Sequence, residues 1–151
     1  MIRIISEYIQ SKFAQYPYKL KSSLLSANEL DVYKRIKQIL PTGTVIIPQV
    51  HYIEILDIKD ENNQKYTAKN KVDRKSIDFV IFSEDNFSPL LGIELDDRTH
   101  EWIDRKEKDY FENGVFNDVG LPLLRIRYSD TNNLENLRSL IQDKISSSPP
   151  R

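Results

Sequence analysis

Two acidic residues stand inside the short apolar run LLGIELDD, as Glu94 and Asp96, and a third, Asp78, interrupts the run SIDFVIF. If both runs are strands, alternate residues share a face. Glu94 and Asp96 then project to one side, and Ile93 and Leu95 to the other. Pairing of the two strands would let all three carboxylates converge. Gathering like charges is unfavourable unless a cation or hydrogen bonds compensate. A hard divalent ion such as Mg²⁺ does so, because it prefers oxygen ligands. It also polarises a phosphodiester and yields a hydroxide nucleophile near neutral pH. The chemistry these residues suit is metal-assisted phosphodiester hydrolysis. The plainer reading of any single acid is a solvated strand end, with Asp97 or Thr99 capping the next helix. Acids inside two neighbouring apolar runs favour a site.

Basic residues lie close by. Lys75 precedes Asp78 by three positions and follows Lys71 and Arg74. Arg125 and Arg127 alternate along LLRIR and are expected to share a face. Lys75, Arg125 and Arg127 suit phosphate, since such charges position nucleic acid. Most other basic residues read as solvated charge. Trp102, Tyr110, Phe111 and Phe116 have rings that stack on bases elsewhere, but packing against a sheet is their expected role. His51 reads as structural.

The elements that must position these groups follow from spacing. An N-terminal helix or arm runs to about Phe13, and Pro17 breaks any continuation. Ser26 with Glu29 three residues later forms a capping-box signature. Glu29, Tyr33, Ile36 and Leu40 then share a helical face, and Pro41 and Gly43 stop that helix. Residues 44–56 read as a strand, with Pro48 marking an edge or bulge. Residues 57–74 read as a polar loop. Strands are expected over 77–82, 90–96 and 123–128. A helix is expected over 102–119, with Phe111, Val115 and Val119 as its buried stripe. Leu134, Leu137, Ile141 and Ile145 mark a last helix. Three successive strands can pair as hairpins, and the fourth follows a crossover helix. The predicted fold is therefore α/β, a mixed four-stranded sheet flanked by helices. The expected division is an arm over 1–25, one domain over 26–146 and a disordered tail over 147–151.

Composition narrows the class. The 151 residues are 39% hydrophobic and 30% charged, which suits one soluble globular domain. The chain has no cysteine, so disulfides, thiolate zinc sites and cysteine nucleophiles are excluded together. No apolar run is long enough for a transmembrane helix, and the N-terminus lacks a signal-peptide pattern. A cytoplasmic location is expected. The net charge of −1 means that any contact with nucleic acid must come from local patches.

The Asp78…Glu94-x-Asp96 pattern resembles the PD-(D/E)XK nuclease superfamily. The pieces IDFV, IELDDRTH and GLPLLRIR resemble a branch related to the very-short-patch-repair endonucleases, over roughly residues 20–145. The resemblance implies a restriction-endonuclease-like core of helix, three strands, helix and strand. It implies Asp78 and Glu94 as ligands of Mg²⁺ or Mn²⁺, with the backbone carbonyl of Leu95 beside them. The lysine usual two positions after the glutamate is Asp96 here. Asp96 supplies no positive charge, though it suits a metal. His100 is the candidate substitute, since a histidine near this strand end is catalytic in the repair endonucleases. Glu29 matches the acid that such nucleases bring from the first helix. Arg125 matches an arginine of the pattern. The function expected is a metal-dependent nuclease acting on DNA, in repair or defence, alone, as a homodimer or with a partner. The alternative is an inactive nuclease-fold module that binds nucleic acid or a protein partner.

Overall fold

A computed structural model of the chain describes residues 16–59, 65–96 and 102–147, without the side chains of 65–68 and 102–109. The expected N-terminal helix, the tail from 148 onward, and Asp97, Thr99 and His100 lie outside the described residues.

Ser26 starts helix α1, Ala27–Ile39. Its hydroxyl accepts from the Glu29 N–H at 3.3 Å, while the Glu29 carboxylate accepts from the Ser26 N–H at 2.7 Å. This reciprocal box satisfies backbone donors that a helix start leaves open. Pro41 follows the helix, and Gly43 turns the chain at φ 77°, a left-handed conformation that favours glycine. Val32, Ile36 and Ile39 are buried, and Tyr33 and Leu40 lean on the same core.

Strand β1, Thr44–His51, is shorter than expected, because Tyr52–Glu54 forms a 3-10 turn. The turn inserts the fully buried Tyr52 ring edge-on against Phe116, with centroids 5.0 Å apart. The Tyr52 N–H donates to the Lys75 carbonyl at 2.9 Å, which anchors the turn beside the next strand.

The stretch 57–74 contains helix α2, Lys65–Val72, rather than loop alone. Periodicity could not show it, since Lys65–Lys71 offers no apolar stripe. Val72 is buried in the core beside it, so docking rather than pattern accounts for the helix.

Strands β2, Ser76–Ser83, and β3, Pro89–Leu95, form a hairpin. Helix α3, Trp102–Val119, then crosses over to β4, Leu123–Ile126, which runs parallel to β3. Another 3-10 turn, Tyr128–Asn132, leads into α4, Leu134–Ser146. The sheet order is β1-β2-β3-β4, antiparallel except for the last pair. The architecture is the expected mixed four-stranded sheet with helices. β1 is an edge, so Pro48 leaves a missing donor where no further strand needs one.

Each face of the sheet carries a core. Phe79, Ile81, Leu91 and Ile93 pack with α1 and α4. Ile77, Val80 and Phe82 pack with Tyr52, Val72 and Phe116. The buried line of α3 differs from the expected one. Val119 is 44% exposed, whereas Glu112 and Phe116 are buried. Phe111 packs partly buried against the α3-side core and, with Val115, borders an apolar groove with Ile55, Leu56 and Val72. Residue type suggested one helical line, and packing on the sheet buried its neighbour more deeply. Among the described residues no helix is long and apolar enough to cross a membrane.

Candidate functional site

Alternation breaks where β1 and β2 pass Gln49 and Asp78. Val45, Ile47 and Val50 all join the α3-side core, so alternation along β1 breaks between Ile47 and Val50. Gln49 has φ 53° there, a left-handed conformation, while the register with β2 runs unchanged from Pro48–Phe79 to Val50–Ile77. Opposite it, Ile77 and Val80 share one core while Phe79 belongs to the other. Asp78 is thereby released from both cores.

The Asp78 carboxylate turns along the sheet instead. Its Oδ2 accepts from the Leu95 N–H at 2.8 Å, replacing a main-chain acceptor just beyond the Phe79–Ile93 pair. In an extended strand the N–H and C=O of one residue leave on the same edge. The Leu95 carbonyl therefore belongs to the Asp78 side. Asp78, Leu95 and Asp96 line one cleft of about 510 Å³ with Glu29, Ser26, Ala27, Asn28 and Tyr128.

Glu29 serves this cleft and its own helix together. One carboxylate oxygen completes the capping box, and the other accepts from Gln49 Nε2 at 2.9 Å. The side chain thus ties the start of α1 to Gln49, opposite Asp78 in the β1–β2 register.

Glu94 belongs to the other side of the sheet. Leu91 and Ile93 occupy the α1–α4 core, so Glu94 faces α3, in parallel register with Arg125. Its Oε1 is shut off from solvent. β3 ends at Leu95, and the Asp96 N–H still donates to the Ile126 carbonyl at 2.7 Å. The sheet end brings Asp78 and Asp96 to one cleft, whose lining does not include Glu94. Among the described residues, no three histidine, aspartate or glutamate side chains stand together as a ready ligand group. The donor chemistry of Glu29, Asp78, Asp96 and the Leu95 carbonyl is all hard oxygen, which fits Mg²⁺ or Mn²⁺.

Two of the candidate cations converge beside Glu94, on a residue the sequence did not suggest. Lys75 Nζ lies 3.5 Å from Glu112 Oε1, and Arg125 Nη2 lies 3.4 Å from Glu112 Oε2. Arg125 also donates to Asn113 Oδ1 at 3.3 Å. Glu112 appears in KEKDYFENG as one charge among many, so no sequence signal separates it. The buried Tyr52 hydroxyl stands near it. Burial pushes the phenol well above its usual range, and the Glu112 and Glu94 carboxylates push the same way. Arg127 lies past the end of β4 and is exposed. His51 is exposed at the end of β1. Phe116 is core, while Tyr110 is 85% exposed.

Tyr128, at the cleft wall, was also not singled out. Its hydroxyl donates to Asp31 Oδ2 at 2.6 Å, and the Arg35 guanidinium sits 5.1 Å from its ring centroid. That hydrogen bond holds the Asp31 carboxyl below its usual range and the Tyr128 phenol above its own. No curated protein and no solved structure matches the chain. Residues 21–145 match the family described as "Protein of unknown function (DUF2726)", and the chain belongs to that family.

Proposed function

We propose that this chain is a metal-dependent nuclease with a restriction-endonuclease-like core, acting on phosphodiester bonds of DNA. The observation that carries the reading is the 2.8 Å bond from the Leu95 N–H to Asp78. It holds one carboxylate against the Glu94–Asp96 segment where β2 and β3 part. The order helix, three strands, helix, strand is the one the superfamily resemblance implies. Glu29 and Asp96 add hard oxygen donors to the same cleft. A divalent ion bound there supplies Lewis-acid polarisation of the phosphodiester. Asp78 and Asp96, with the Leu95 carbonyl, are its proposed ligands, and Glu94 is the ligand on the α3 side. Lys75 and Arg125 engage backbone phosphate. His100 is the proposed proton carrier, and Arg127 a peripheral phosphate contact.

The test is cleavage of plasmid and single-stranded DNA with Mg²⁺ or Mn²⁺. Wild type should cut, and Asp78→Ala and Glu94→Ala should each lose about a hundredfold or more. Mg²⁺ should also raise the melting temperature of wild type and not of Asp78→Asn, which keeps an acceptor for Leu95. A second reading rests on Asp96, which stands where the superfamily's lysine would. An uncut substrate set, with DNA still bound, would favour a non-catalytic nucleic-acid-binding module.

A further inference from the structure

Glu112 is an expensive residue for its place. It lies on the buried line of α3 beside Phe116, and its side chain is 2% exposed. An apolar side chain there would pack without the cost of desolvating a carboxylate. Local rules of this kind are most often broken at functional sites.

We propose that Glu112 is a positioning residue, holding Lys75 and Arg125 as a paired contact for nucleic-acid phosphate on the α3 side of Glu94. The inference rests on the reading of this region as a phosphodiester site. Each carboxylate oxygen takes one cation, at 3.5 and 3.4 Å, so the acid sets the spacing of the pair. The Lys75 and Arg125 side chains are 28% and 31% exposed over this sealed acid. A ligand from solvent therefore meets the cations and not the carboxylate. The Lys75 ammonium carries three N–H donors and the Arg125 guanidinium five in a planar fork, the donor types that engage phosphate. The placement is also specific. Arg125 pairs in register with Glu94, and Lys75 enters β2 three residues ahead of Asp78. The Phe111 ring, 5.4 Å from Lys75 Nζ, steadies the lysine further.

The experiment measures binding of short duplex and single-stranded DNA across salt, with Ca²⁺ replacing Mg²⁺, alongside thermal melts. The chains compared are wild type, Glu112→Leu, Glu112→Gln, the Lys75→Ala/Arg125→Ala double variant, and the double variant combined with each Glu112 change. The double variant should bind about tenfold more weakly, with the salt slope reduced by about one per cation. Glu112→Leu should weaken binding to the same extent, and its combination with the double variant should add almost nothing. The glutamine variant, matched in shape, supplies the same comparison if leucine disturbs the fold. Unchanged or tighter binding by both Glu112 variants would overturn the proposal, as would losses that simply add. A wild type that binds neither DNA form would overturn it too. A wild type that binds here but cuts nothing in the Mg²⁺ or Mn²⁺ cleavage assay removes the nuclease reading and leaves this one standing.

Discussion

Tyr52 reports on the buried charges at the site. Its phenol is pushed up by burial first, and then by the Glu112 and Glu94 carboxylates. A folded-state pKa above the unfolded one means a contribution that is full below the unfolded value. For tyrosine that value is about 10, and the contribution is lost as pH rises beyond it. Wild type should therefore melt at progressively lower temperature above about pH 10. Tyr52→Phe should flatten that alkaline fall while leaving the neutral-pH melt close to wild type. Melting curves collected from neutral to alkaline pH decide it, and parallel curves for the two chains would show that Tyr52 is not the responsible group. The Asp31–Tyr128 bond has an acid branch as well. The Asp31 carboxyl is held low, so its stabilisation exists above the ordinary carboxylate range and is lost as pH falls through the lowered value.

Helix α1 matters at the level of elements because its first turn does two jobs. Ser26 and Glu29 close the capping box, and the same glutamate reaches Gln49, where alternation along β1 breaks. The matching break in β2 frees Asp78 from both cores. Ser26→Ala should lower unfolding stability in urea by about 1 kcal/mol, the worth of a lost N-cap. Glu29→Ala should cost more, because the Gln49 tie goes with it. The two roles of Glu29 separate in the Mg²⁺ response of the melt. Ser26→Ala should keep that response, and Glu29→Ala should diminish it; equal responses would confine Glu29 to the helix cap. α3 acts as the counterpart on the opposite face, where Glu112 gathers Lys75 from just before β2 and Arg125 from β4.

Charge on the whole molecule sets how it can meet a polyanion. With a net charge of −1, long-range attraction to DNA is weak, and the cations that engage must be local. The proposed contacts are Lys75 and Arg125, with Arg127 at the margin. Binding should therefore fall gently with salt, with a log–log slope of about two to three, near 0.9 per neutralised phosphate. Titrations at several salt concentrations measure it directly. A much steeper slope would require a basic surface beyond these residues.

Much of the architecture was legible in the chain because its signals are local. The Ser26–Glu29 box, the Pro41–Gly43 stop, and the apolar runs around Asp78 and Glu94 each act within a few residues. Their order alone specified a mixed sheet with a crossover helix. The candidate acids Asp78, Glu94 and Asp96 were visible for the same reason, as charges inside apolar runs. Their grouping was not. A break of alternation shared by β1 and β2 at Gln49 and Asp78 removed Asp78 from either core, and the sheet end set Asp78 and Asp96 on one cleft with Glu29. Helix α2 formed without an apolar stripe, because Val72 docks on a core assembled from distant strands. Glu112 became a buried partner of Lys75 and Arg125 only when α3 settled at one angle on the sheet. That angle depends on the shapes of side chains far apart in sequence, and no short-range spacing encodes it.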